Sequence, residues 1–311
     1  MKSPTSVAIL LASHNGEEYI AQQIESILNQ SFEDWTIFIS DDSSTDKTVH
    51  IIQQYAERFP EKIVWIKKDE SSGSAKNNFL FLLRQVDAEY LMCCDQDDVW
   101  KPEKIEITMQ LMKQTEEVGR PALVFTDLQV VDHELNLICS SFFKYTGVRV
   151  QPITFRRLLV QNIVAGCTAM FNGKLRDYVL MPEKTDDIIM HDWWFSLIAV
   201  AFGKIGFCPQ STILYRQHGT NAVGAQKTGG VSYVFKRLCS TRAIQDSRNT
   251  ILQAKLFYEV YSDFLSIDCK TVLQAYSKCL NKNKLKRIYI ISKNRIWKDT
   301  ITRKAMQIFF C

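Results

Sequence analysis

Three carboxylates within four residues, Asp95-Gln96-Asp97-Asp98, follow directly on the apolar run Tyr90-Leu91-Met92-Cys93-Cys94. Like charges this close repel, so the cluster needs a cation or hydrogen-bond donors to stay ionised. Mg²⁺ and Mn²⁺ take oxygen ligands and are commonly held by one or two carboxylates together with substrate phosphates. The spacing suits a metal–diphosphate site. It equally suits a solvated acidic turn capping the helix that starts after Pro102.

Other chemistry-bearing residues sit in similar places. In Asp41-Asp42-Ser43-Ser44-Thr45-Asp46, Asp46 reads as a helix cap, while a carboxylate at the strand tip, Asp41, can accept a hydrogen bond from a pyrimidine N3–H. His191-Asp192-Trp193-Trp194 opens an apolar helix. A carboxylate in a first turn is stabilised by the helix dipole, which lowers its pKa and leaves Asp192 ionised and able to accept a proton. The two tryptophans serve as core anchors or as a platform for a sugar ring. His218, one of five histidines, is either structural or a metal ligand, and Arg216 beside it can neutralise phosphate. Gly73-Ser74-Ala75-Lys76-Asn77-Asn78 opens a helix whose backbone N–H groups can meet an anion.

These clusters need a scaffold, and the apolar pattern describes one. Val7–Leu11, Trp35–Ile39, Ile63–Ile66 and Tyr90–Cys94 read as buried strands, separated by amphipathic helices through Ile20–Leu28, Val49–Tyr55 and Asn78–Leu83. Such alternation implies βαβ units and a largely parallel sheet. Ligands in these sheets bind beyond the carboxyl ends of the strands, and Ser13-His14-Asn15, Asp41-Asp42, Lys67-Lys68-Asp69 and Asp95–Asp98 all fall there. From Pro121 the pattern changes: 123–131 and 137–139 read as a hairpin, 152–160 and 190–202 as helices around a strand at 167–171, and 213–216 as a last strand.

The chain has 311 residues, 46% hydrophobic and 23% charged, which excludes a disordered or collagen-like chain and a small disulfide scaffold. Nine cysteines without C-x-x-C spacing argue for reduced thiols. No apolar run reaches the ~20 residues of a membrane span, and the N-terminus shows no leader pattern. Charge is uneven. Residues 1–226 carry 21 Lys+Arg against 29 Asp+Glu, a net of −8, and residues 227–311 carry 17 against 5, a net of +12, giving +4 overall. An acidic body with a basic helical tail therefore meets at Lys227-Thr228-Gly229-Gly230. In the tail Leu252, Leu256, Val260 and Phe264 step by four, and further on lysines and arginines interleave with Ile, Trp and Phe. A basic amphipathic helix of this kind suits an anionic membrane surface, a dimer interface or a solvated cap. No nucleic-acid-binding motif accompanies the charge.

In this order, Ser13-His14-Asn15-Gly16-Glu17, Asp41–Asp46, Gly73–Asn77, Asp95–Trp100, His191–Trp194 and Tyr215–Asn221 resemble the inverting glycosyltransferases of family 2 with the GT-A fold. The resemblance spans about residues 5–225 and is nearest to bacterial rhamnosyltransferases of rhamnose-polysaccharide assembly. His14 departs from it, since many members carry Tyr there. The resemblance implies an α/β GT-A domain over 1–226, with a nucleotide-sugar half (1–120) and an acceptor half (121–226), followed by the basic helical extension 227–311. It implies that Asp41 holds the base and Asp95 the ribose, with Ser13, Asn15, Glu17, Asp42, Lys76, Gln96 and Arg216 around the nucleotide-sugar. Asp97 and His218 would hold Mg²⁺ or Mn²⁺, Asp192 would be the general base, and His191, Trp193 and Trp194 would face the acceptor. It further implies a dTDP-rhamnose donor, a polyprenyl-diphosphate-linked saccharide acceptor and a cytoplasmic enzyme peripheral to the inner face of the plasma membrane. A homo-oligomer is compatible with it. A UDP-glucose or UDP-galactose donor is the alternative within the family. A sugar nucleotidylyltransferase shares the core but usually has a Gly-rich basic loop after strand one, where this chain has Ser13–Glu18. A non-catalytic saccharide-binding protein has no need of every carboxylate.

Overall fold

Every residue from Val7 to Leu11 is buried in strand β1 (Val7–Ser13). A strand apolar on both sides needs cover on both. Alternation supplies it: Val7, Ile9 and Leu11 enter one core, Ala8 and Leu10 the other. β2 (Trp35–Asp41) and β4 (Tyr90–Asp95) flank β1 in parallel, and β3 (Ile63–Trp65) lies outside β2. The first core takes helices α1 (Ile20–Leu28), α2 (Thr48–Arg58) and α4 (Lys104–Thr115), and the second takes α3 (Ala75–Gln85). The computed structural model describes Met1, residues 5–218 and residues 241–311.

The sheet continues past β4 in the order β3-β2-β1-β4-β8-β6-β9-β5. Here β5 is Val99–Trp100, β6 Ala122–Val131, β8 Ala169–Asn172 and β9 Lys204–Arg216, while β7 (Leu137–Cys139) pairs with β6 as the expected hairpin. β8 is antiparallel to both neighbours, and β9 runs parallel to β6. The last strand is far longer than the 213–216 read from sequence. Gly206 and Pro209 look like breakers, yet Pro209 falls where the register with β6 shifts between Thr126 and Asp127, the kind of irregularity that tolerates proline. Four helices follow β7: α5 (Phe142–Thr146), α6 (Phe155–Leu158), α7 (Gly173–Val179) and α8 (His191–Phe202). α6 is one turn, shorter than the expected 152–160.

The basic tail forms α9 (Thr241–Tyr261), α10 (Ile267–Ser277), α11 (Lys284–Lys293) and α12 (Ile301–Phe310). Its buried stripe is Ile251, Ala254, Phe257 and Tyr261; Leu252, Leu256 and Val260 are only half-buried and Phe264 is exposed. Phe257 and Tyr261 pack on Trp194 of α8, with ring centroids 5.1 and 5.8 Å away, and share the core of α3. Burying two such rings contributes about 1.5–3 kcal/mol each, so α9 is tied to the body by the same core. The expected boundary at 227–230 and the stretch Gly219–Asn221 lie outside the described residues. The eight described cysteines are unpaired. No described helix is long and apolar enough to cross a membrane.

Candidate active site

Strand register brings the first polar clusters together. Ser13 pairs with Asp41 across β1 and β2, and Ala12 pairs with Asp95 across β1 and β4. With strands ~4.8 Å apart, Asp41 and Asp95 lie roughly 10 Å from each other on one rim. Asp41 accepts from the Ser13 hydroxyl at 2.9 Å, the Ser44 N–H at 2.8 Å and the Ser44 hydroxyl at 2.5 Å. Gln96 clasps the His14 backbone with two reciprocal 2.9 Å bonds. Gly16 makes room for that clasp, since a Cβ there would fall 2.3 Å from Gln96 Oε1.

Asn15 and Glu17 chiefly join the two neighbouring turns. Asn15 Oδ1 accepts from Thr45 N at 2.8 Å, and Glu17 Oε2 from Lys47 N at 2.9 Å. Asn15 and Ser43 both adopt left-handed backbone, φ 48° and 64°, at these turns. Asp46 stands one residue before the α2 flank, Lys47, which makes no side-chain cap, and accepts from Thr48 N at 2.9 Å, the first N–H of the helix.

The acidic turn lies between β4 and β5. It does not cap α4, because β5 intervenes and the α4 flank, Glu103, makes no side-chain cap. Asp97 Oδ2 meets His218 Nε2 at 2.8 Å, joining two residues 121 positions apart. Tyr19 contacts both the His218 ring, 4.9 Å away, and the Arg216 guanidinium, 4.6 Å away. Asp98 is fully buried; its Oδ1 accepts from Arg216 N at 3.2 Å and its Oδ2 has no partner among the described residues. Ligand atoms of Asp95, Asp98 and Cys167 lie within 4.8 Å of one another. Burial, then the charges of Asp97 and Asp192, push the Asp95 carboxyl well above its ordinary range. The Asp97 carboxylate beside the His218 imidazole offers an oxygen and a nitrogen donor, a set that fits Mn²⁺ or Mg²⁺.

Asp192 stands in the first turn of α8. Its Oδ2 accepts from Gly166 N at 3.1 Å and its Oδ1 from Trp193 N at 2.6 Å. Its pKa is the reverse of the helix-dipole expectation: burial pushes it up to about 7, outweighing the bonds from Trp193, Gly166 and Asn162 that pull it down. Gly166 belongs to a 3₁₀ turn leading into β8, and a Cβ there would sit 2.6 Å from His191 Nε2.

Several expected ligands are engaged elsewhere. Asp42 turns toward Lys68 (2.5 Å) and Ser72; burial raises its carboxyl, but these bonds outweigh it and leave the pKa lowered. The Lys76 ammonium binds the Thr185 and Ile188 carbonyls at 3.0 and 2.8 Å, anchoring the segment before α8. Arg216 spends its guanidinium on Asp97 O (2.9 Å), the His133 carbonyl and Gln22 Oε1 (2.5 Å), so it shapes the acidic turn. Trp194 is fully buried against α9, a core anchor and not an acceptor platform. Trp193, half-buried, donates its indole N–H to Leu158 O at 2.5 Å. His191 is buried between Phe79 and Phe195, and burial pulls its pKa down to about 3, so the ring is neutral. Sequence reading missed Gly166, Asn162 and Ser72, and it placed Lys68 at the rim without its pairing to Asp42. None of the missed residues lies in a cluster with the residue it serves, and only the Gly73–Asn78 segment near Ser72 carried a signal.

Comparison with known proteins agrees with this geometry. The family described as "Glycosyl transferase family 2" matches residues 8–179. The dTDP-rhamnosyl transferase RfbG of Shigella flexneri is 29% identical over 237 residues, 73% of this chain and 78% of that protein. A putative teichuronic acid biosynthesis glycosyltransferase, TuaG of Bacillus subtilis, is 36% identical over 204 residues, covering 64% and 75%. Among solved structures, S. aureus TarS 1-349 in complex with UDP-GlcNAc superposes with TM-score 0.55 at 12% identity, over 97% of this chain and 90% of that one. The mannosyltransferase PcManGT of Pyrobaculum calidifontis, in complex with GDP-Man and Mn²⁺, does so with TM-score 0.51 at 14% identity, over 98% and 85%.

Proposed function

The chain belongs to glycosyl transferase family 2 and has the GT-A α/β fold of a nucleotide-sugar transferase, and from that premise we propose an inverting enzyme that moves L-rhamnose from dTDP-rhamnose to a hydroxyl of a polyprenyl-diphosphate-linked saccharide. The observation that carries the reaction type is the rim itself, where Asp41 and Asp95 end the two strands that flank β1, together with Asp192, a buried carboxylate at the start of α8 whose charge helps to raise the Asp95 pKa. The likeness to RfbG supports the rhamnosyl donor. The higher identity to TuaG, a putative teichuronic acid biosynthesis glycosyltransferase, over a shorter stretch keeps a donor other than dTDP-rhamnose, such as a UDP-hexose, as the second reading.

Inversion needs one base opposite the leaving group and no carboxylate nucleophile. Asp192, raised to about 7, is matched to that task near neutral pH. Each of its oxygens is oriented by one backbone N–H, from Gly166 or Trp193, and keeps a lone pair for the acceptor O–H. The acceptor oxygen bonds to the anomeric carbon as the bond from that carbon to the diphosphate oxygen breaks, and the hydroxyl proton passes to Asp192. Asp41 orients the base and Asp95 the ribose. Asp97 and His218 would hold Mg²⁺ or Mn²⁺, which supplies positive charge to stabilise the leaving diphosphate.

The tail supports a peripheral membrane site for the lipid-linked acceptor. From Lys270 to Cys311 the one acidic side chain, that of Asp299, is enclosed and paired with Arg157 and Arg303, while Leu285, Tyr289, Ile301 and Phe309 are exposed among lysines.

A donor panel tests the reading. Purified protein is offered dTDP-rhamnose, UDP-glucose and UDP-galactose with Mn²⁺ or with EDTA, and nucleoside diphosphate release is scored. dTDP release that EDTA abolishes is expected. Turnover of a UDP-hexose alone moves the assignment to the second reading, and undiminished turnover in EDTA removes the metal.

A further inference from the structure

The peptide that joins Ile188 to Ile189, three residues before Asp192, is gripped from both sides. Its carbonyl, on Ile188, accepts from Lys76 Nζ of α3 at 2.8 Å, and its N–H, on Ile189, donates to Gln253 Oε1 of α9 at 2.9 Å. Lys76 also holds Thr185 O at 3.0 Å, and Ile188 N closes a turn onto that same carbonyl at 3.1 Å. One arm of this clamp reaches back 112 residues to Lys76, and the other reaches forward 64 residues into the basic tail.

Packing alone does not account for Gln253. Its side chain is fully buried on the α9 stripe with Ile251, Ala254 and Phe257, and its Nε2 has no partner among the described residues. A buried donor left unpaired costs more than one hydrogen bond returns. Methionine, close to glutamine in volume, would fill the position with no donor to satisfy. Among the described residues the side chain makes a single hydrogen bond, the one to Ile189. The start of α8 depends on that peptide. Met190 flanks the helix in extended backbone, φ −144° and ψ 147°, and makes no side-chain cap, so the chain entering the helix sets the direction of its first turn. Asp192 stands in that turn, where its Oδ2 must reach Gly166 N. A misplacement of about 1 Å in a reacting group costs about 10²-fold in rate.

We propose that Gln253 is a positioning residue for the base: with Lys76 it clamps the peptide entering α8 and so sets Asp192 against the donor rim. The basic tail is thereby part of the catalytic machinery. This rests on the reading of Asp192 as the general base. Gln253 acts through the Ile188–Ile189 peptide and not on the reacting atoms.

The test uses the full chain with Gln253→Met, Gln253→Glu, Lys76→Met and the double variant Gln253→Met with Lys76→Met. Steady-state turnover of the donor is measured on each, with amide hydrogen exchange at Ile189 as a second readout. Gln253→Met is expected to lower kcat at least ~10-fold with donor KM within about threefold, and to speed exchange at Ile189. Gln253→Glu, protonated when buried, keeps an oxygen for Ile189 N–H and should hold kcat within about threefold of wild type. Lys76→Met should also act on kcat. The double variant should lose less than the product of the two single losses, because both release one peptide. Wild-type kcat in Gln253→Met, an equal loss in Gln253→Glu, an effect confined to donor KM, or losses that simply multiply would each overturn the proposal. If Gln253→Met does not fold, Lys76→Met decides: a lowered kcat at unchanged KM keeps the clamp, and wild-type kcat ends it. If the unsubstituted chain turns over no donor, the glycosyltransfer reading fails separately. Exchange at Ile189 then decides alone: a faster rate in Gln253→Met keeps the clamp, and an unchanged rate ends it.

Discussion

Asp192→Asn should cost activity and return stability, with a pH dependence that identifies the cause. Burial raises this carboxyl from 3.8 to about 7. Between those values the folded chain holds a proton that the unfolded chain has already released, so stability is highest at low pH and falls as pH rises through 7. From pH 5 to pH 8 one such group removes about 2–3 kcal/mol. Asparagine does not titrate. The unfolding free energy of the variant relative to wild type should therefore move by about 2–3 kcal/mol in the variant's favour over that interval. Asp95, which Asp192 helps to raise, shifts the difference in the same direction. Losing a general base lowers kcat by about 10²–10⁴, while nucleotide affinity should hold. The assays are urea unfolding at both pH values and nucleoside diphosphate release. A stability difference flat between pH 5 and pH 8, or turnover within threefold of wild type, would refute the reasoning.

Two further outcomes follow from other parts of the molecule. Gly166→Ala puts a Cβ 2.6 Å from His191 Nε2 and displaces the N–H that holds Asp192; kcat should fall by at least ~10-fold with donor KM nearly unchanged, and a pure KM effect in steady-state kinetics would speak against it. At the exposed basic face, Lys282→Gln, Lys286→Gln and Lys304→Gln together remove three surface cations. At about 1 kcal/mol each, co-sedimentation with phosphatidylserine-containing vesicles should weaken about 100-fold, and equal binding by both proteins would rule out electrostatic docking there.

Sequence alone determined the scaffold and its rim. The runs Val7–Leu11, Trp35–Ile39 and Tyr90–Cys94 are apolar at nearly every position and too short for a helix, the pattern of strands covered on both sides. Once these strands are parallel, their carboxyl ends coincide, so Ser13, Asp41 and Asp95 had to share an edge. That inference needs only neighbouring residues. Tertiary structure decided how individual side chains are spent. Lys76, Asp42 and Arg216 read as phosphate or nucleotide ligands, yet each is bonded to protein groups that chain pattern cannot place beside it: Ile188 is 112 residues from Lys76, and Gln22 is 194 from Arg216. Trp194 became core because α9 folds over it. Asp192 shows the division most directly. Its helix position, a local property, lowers the pKa, whereas burial by segments from elsewhere in the chain raises it further. Desolvation depends on everything that surrounds a charge, and no short stretch of sequence contains that information.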